Sequence, residues 1–146
     1  MPINLQAIAE RINTRTENPE TSRALVVFNS TSQALSGVAV FRASMAWPRD
    51  MPLPPVTLTN ADGEVVSSAV REMEMGPDAK GRADRAQISF ALCFAVSDIP
   101  ANGWRTYLAS YTDAPPLALE DFVGTLGLLV VETMRHSGDL PMQGSF

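Results

Sequence analysis

With one cysteine and one histidine in 146 residues, the chain is poor in the side chains that most site chemistry uses. The lone Cys93 excludes a disulfide framework within the chain. It lies in Ile88 to Phe94 among small and apolar residues, with no cation beside it in sequence to favour a thiolate, and reads as a buried, inert thiol. Zinc hydrolases need several His, Cys, Asp or Glu side chains converging on the ion, and neither H-x-E nor C-x-x-C spacing occurs. His136, between Arg135 and Ser137, reads as a solvated turn residue, so no metal or cofactor is expected.

Basic residues are also scarce. Eleven Lys and Arg against sixteen Asp and Glu give a formal charge of −5, and no basic cluster is present, which argues against a nucleic-acid partner. The longest apolar run, Phe122 to Val131, is about half the length that a membrane-spanning helix needs. The segment Met1 to Gln6 has no basic region leading into an apolar stretch, so a cytoplasmic location is expected. There is no G-x-S-x-G elbow to present a serine and no glycine-rich phosphate loop. A retaining glycosidase needs two carboxyl groups about 5 Å apart. The acidic candidates here are Glu72 and Glu74, Asp98, and Glu120 with Asp121, and none lies in a recognisable motif.

What the chain does have is turn residues and alternating apolar ones. Eleven prolines, nine glycines and 45% hydrophobic residues describe one folded domain of short strands. Leu5, Ile8, Ala9 and Ile12 fall at helical spacing and predict a short amphipathic helix ending near Asn13 or Thr14. The polar stretch Arg15 to Arg23 reads as a linker. Ala24 to Phe28 reads as a strand, and another begins at Leu35. Trp47 to Pro55 carries four prolines and reads as a surface loop. Asp62-Gly63 marks a hairpin, and Gly76 to Arg82 reads as a mobile loop. Ile88, Phe90, Leu92, Phe94 and Val96 alternate with smaller residues, which places the even-numbered face of a strand in the core. Trp104 to Tyr111 forms the return strand after Gly103. For the tail from Leu117, helix and strand both remain open, with the glycines and Val130-Val131 favouring strands. The fold class expected is a mainly β, antiparallel Ig-like sandwich with a short N-terminal helix. Its division would be 1–23 helix and linker, 24–112 sandwich, and 113–146 C-terminal extension, with strands of the same or an adjoining sheet.

The aromatic residues admit two readings. Trp104 and Tyr107 read as packing residues behind Gly103, while Trp47 on its Pro-rich loop is the candidate for contact with a glycan or another interface. Leu5, Ile8 and Ile12 form an apolar stripe, a candidate interface for self-association.

The order Val27-Phe28-Asn29, Asp62-Gly63, Phe90 to Phe94, Ile99-Pro100 and Gly103-Trp104-Arg105-Thr106-Tyr107 resembles the β-sandwich region that follows the catalytic part of family 38 glycoside hydrolases, the α-mannosidases. The similarity runs from about Leu5 to Tyr111. It departs from the family where Ser30 and Ala69 stand in place of the usual proline and glutamine. The resemblance implies a non-catalytic module, because the family's zinc ligands and nucleophile lie in a separate barrel with no counterpart here. It also implies that the helix corresponds to the end of a preceding helical bundle. The expected partner is then the catalytic domain of a zinc-dependent α-mannosidase-like parent enzyme, or a second copy of the chain. The rival reading is an independent module that binds a glycan or a protein through the Trp47 loop; a weaker third is a stand-alone enzyme of unrecognised type.

Overall fold

The structure, a computed structural model, describes residues 4–13, 22–50, 56–111, 129–134 and 141–145. In chain order the elements are a helix α1 (Leu5–Arg11) and strands β1 (Ser22–Asn29), β2 (Leu35–Pro48), β3 (Val56–Thr59), β4 (Val65–Val66), β5 (Ser68–Pro77), β6 (Arg85–Ile99), β7 (Gly103–Tyr111), β8 (Leu129–Met134) and β9 (Gln143–Ser145). All strand pairs are antiparallel. The small sheet runs β2-β6-β5 and the large one β4-β3-β7-β1-β8, with β9 also on β7. Strand β9 pairs with Gly103–Arg105 and β3 with Leu108–Tyr111, so the two lie end to end along one edge of β7. Among the described residues the result is a mainly β, antiparallel two-sheet architecture with one short helix.

The core follows from the alternation in β6. Ile88, Phe90, Leu92, Phe94 and Val96 are all buried and meet Leu25, Val27, Leu58 and Tyr107 of the large sheet. The Phe94 and Tyr107 rings cross the gap at 5.4 Å between centroids, tilted by 58°, a favourable aromatic geometry.

Asn29 explains why the end of β1 belongs beside the turn between β6 and β7. It is fully buried, and its side chain uses its complete hydrogen-bonding capacity. Nδ2 donates to the carbonyls of Gln33 (2.7 Å) and Ile99 (3.0 Å). Oδ1 accepts from the backbone N–H (2.9 Å) and the hydroxyl (2.7 Å) of Thr31. The carbonyl of Thr31 in turn accepts from Asn102 N–H at 2.9 Å. One amide thus ties the β1–β2 turn to the β6–β7 turn. Gly103, opposite Asn29, is also constrained, because a Cβ there would run into the Gly144 carbonyl oxygen of β9.

The helix begins where Asn4 Oδ1 accepts from Ala7 N–H at 3.1 Å. Seven residues make a marginal helix in isolation, so packing must hold it. Ala9 and Ile12 are fully buried against Val26, Phe28 and Trp104 on the outer face of the large sheet, with Leu5 and Ile8 half-buried beside them. The apolar stripe therefore finds its partner within the chain. Ile12 has no surface left to offer, and only the exposed portions of Leu5 and Ile8 remain for another molecule.

Two loop expectations are corrected. Strand β2 continues through Trp47 to Pro48, pairing with Ala86 and Arg85, because an edge strand tolerates proline at its end. Residues 51–55 lie outside those described. Likewise, Gly76 and Pro77 still pair in β5, and the turn after them is pinned rather than loose. The buried Asp78 carboxylate accepts from Arg82 through its backbone N–H (3.0 Å), Nε (2.8 Å) and Nη2 (3.2 Å). These bonds, the side-chain one foremost, hold the Asp78 pKa at about 2. A carboxylate depressed in this way stabilises the fold above its ordinary value of 3.8, and the contribution fades as the pH falls toward 2. The melting-temperature gap between the parent chain and Asp78→Asn should be constant from pH 5 to 8 and narrow between pH 4 and 2. A gap that widened on acidification would contradict this assignment.

Candidate functional site

The two outer faces of the sandwich differ. The helix lies on the large sheet, whereas no described element lies across the outer face of the small one. Among the rungs that strand alternation puts on that face, three lie side by side at its middle. They are Val40, Cys93 and Ala69; Arg42, Ala91 and Arg71; and Ser44, Ser89 and Glu74.

Between the last two rungs β5 bulges. Glu72 and Met73 together stand opposite Phe90, and Glu72 adopts a left-handed φ of 53°. A non-glycine residue held there costs about 1 kcal/mol or more, a strain that recurs where a side chain has to be re-aimed. The Glu72 carboxylate meets Arg42 Nη1 at 2.7 Å across the sheet. With the Arg42 and Glu72 side chains 72% and 64% exposed, respectively, this ion pair adds little stability, and its main effect is positional. Ala91 and Cys93 are 2% exposed even though they point outward. Such small side chains lie low between the long ones of the flanking strands. Burial pushes the Cys93 thiol pKa up, which keeps it protonated and unreactive.

The bowed strand leaves a groove of about 550 Å³ lined by Arg42, Ser44, Glu72, Glu74 and Ser89, next to Ala43 and Phe90. The Gln87 amide donates to Ser44 Oγ, and the Ser44 and Ser89 hydroxyls are 3.3 Å apart. Chemically this is a set of interleaved donors and acceptors. The described residues include no group of three or more His, Cys, Asp or Glu placed to hold a metal ion.

Of the residues singled out from the sequence, Glu72 and Glu74 come together in this groove. Asp98 does not line it; it sits at the end of β6, where its N–H donates to Ser36 Oγ at 2.9 Å. His136, Glu120 and Asp121 lie outside the described residues. Trp47, expected on a loop, is half-buried on β2 against the inter-sheet core. Trp104 and Tyr107 are each 2% exposed. The Trp104 Nε1–H donates to the Pro141 carbonyl at 3.0 Å, and Gly144 lies against its ring, so neither residue presents an open face for stacking. Ser89 follows from the sequence as an outward residue of β6 but not as part of a site, and Arg42, Ser44 and Gln87 carry no site signal of their own. Their parity places them on the outer face, since each alternates with a core residue of β2 or β6 and must point outward. No helix among the described residues is long and apolar enough to cross a membrane.

Neither a family model nor a curated protein matches the sequence. Solved structures do match the fold. One is a protein of glycosyl hydrolase family 38 from Enterococcus faecalis, 14% identical with a TM-score of 0.57, the match covering 80% of this chain and 15% of that one. Another is an α-mannosidase from Enterococcus faecalis V583, 17% identical with a TM-score of 0.54 and the same coverage. The similarity is one of fold, and the matched region is a small part of each of those chains.

Proposed function

We propose that this chain acts as a non-catalytic β-sandwich module of an α-mannosidase-like glycoside hydrolase, bracing a catalytic domain or shaping the rim of its site. The observation that carries the reading is the fold match to 15% of two family 38 chains over 80% of this one. The residues that carry the resemblance fit this reading, because Phe28-Asn29 and Ile99-Pro100 are the segments that the Asn29 side chain joins. In this reading the module contributes rigidity: two sheets locked through Phe94 and Tyr107, and a helix fixed on the outer surface of one of them.

Two measurements test it. The purified 146-residue chain should not hydrolyse an aryl α-mannoside, and turnover abolished by a chelator would overturn the non-catalytic reading. An antibody raised against the sandwich should detect a native polypeptide far heavier than 15.7 kDa. A native band at 15.7 kDa would instead make this a free-standing module.

A further inference from the structure

We propose that the groove above the β5 bulge is a subsite for a neutral saccharide. Its volume of about 550 Å³ lies within the range of small-ligand sites and suits one or two sugar rings. The groups around it narrow the ligand class. Glu72 and Glu74 line it beside one cation, Arg42, and Arg71 on the adjacent rung brings the face only to neutrality, so it holds no excess positive charge to attract phosphates and other anions. Glu72 is already engaged by Arg42, so the pair is unsuited to chelating a cation. An apolar molecule would strip water from the carboxylates and the guanidinium that line it, at a cost nothing in the groove offsets. A hydroxyl-rich, uncharged ring matches what remains. The Glu74 carboxylate can accept from two neighbouring hydroxyls, and the guanidinium of Arg42 has N–H groups beyond the one used on Glu72. Beyond their bond to each other and the one Ser44 accepts from Gln87, the Ser44 and Ser89 hydroxyls keep one proton to donate and lone pairs to accept. The bulge matters because the left-handed Glu72 brings the Arg42–Glu72 pair across the sheet as one wall, with the Gln87–Ser44 bond close by. With no aromatic face among the polar lining, binding should be weak, with a dissociation constant on the order of millimolar. The inference stands on the groove, and it can fail without affecting the reading of the sandwich as a brace, which the length of the native polypeptide tests separately.

The test is titration of the ¹⁵N-labelled 146-residue chain with methyl α-D-mannopyranoside and methyl β-D-glucopyranoside into the tens of millimolar. The expected result is saturable amide shifts from at least one of them, centred on Arg42, Ser44, Glu72, Glu74 and Ser89. Glu74→Gln, an exposed and structurally mild change, should weaken binding by about tenfold, as should Ser89→Leu, which fills the groove. Glu64→Gln at the β3–β4 turn should leave it unchanged, and unaltered melting curves would show that the variants are folded. Non-saturating shifts, shifts centred on Trp47, equal responses to glycerol or putrescine, or indifference to Glu74→Gln would each overturn the proposal.

Discussion

Asn29→Ala should destabilise the chain by roughly 3–5 kcal/mol, among the largest effects of any polar substitution in it. The alanine would abandon the carbonyls of Gln33 and Ile99 and the donors of Thr31, all of which now converge on one fully buried amide. Each buried group left without a partner carries a penalty of about 1–3 kcal/mol, moderated where water can reach the turn. Chemical denaturation should show a lower midpoint at unchanged slope. Asn29→Asp sharpens the test. A carboxylate keeps the acceptor for Thr31 but turns a negative charge toward two carbonyls, so its pKa should rise in the folded state. For an acid whose folded pKa is raised, stability falls as the pH climbs from the unfolded value through the folded one. Asn29→Asp should therefore be less stable at pH 7 than at pH 4. A loss below about 1 kcal/mol for Asn29→Ala would mean that the two turns hold together without it.

The second large effect is expected at Phe94, which is fully buried in the centre of β6. Phe94→Ala should cost about 3–5 kcal/mol through lost apolar burial and the cavity left behind. Part of that belongs to the ring pair with Tyr107, so a double-mutant cycle of Phe94→Leu with Tyr107→Leu should show a coupling of about 0.5–1.5 kcal/mol. Ser97→Ala, on the same strand but exposed, should move the melting temperature little. Equal shifts at Phe94 and Ser97 would mean that the core lies elsewhere.

Most of the sandwich could be read from period and punctuation. The even face of β6 follows directly from Ile88, Phe90, Leu92, Phe94 and Val96, because only a half-buried strand gives that alternation. The hairpin at Asp62-Gly63 follows from the positive φ, +82°, that Gly63 supplies, and Asn60 completes the turn by accepting from Asp62 and Glu64. The groove could not be read in the same way. It depends on a bulge at Glu72-Met73, where no glycine announces a left-handed residue, and on bringing β2, β5 and β6 side by side. The pinning of Asp78 by Arg82 was hidden for a related reason, because a charged turn with two glycines looks mobile until the carboxylate is seen to be buried. The apolar stripe of the helix was legible, but not the surface it meets. Val26 and Phe28 sit in an unbroken apolar run of β1, whose two faces cannot be told apart by period alone.

The position of β1 shapes how the chain must fold. It precedes every other described strand in the sequence, yet it lies inside the large sheet between β7 and β8, both from the later part of the sequence. During synthesis Leu25, Val26, Val27 and Phe28 emerge long before either neighbour exists, leaving two bare edges and two apolar faces waiting. Closing such distant pairs makes the contact order high and the folding slow. The early strand would then be the part of the molecule most in need of a chaperone, and the first to aggregate if elongation stalls before β7.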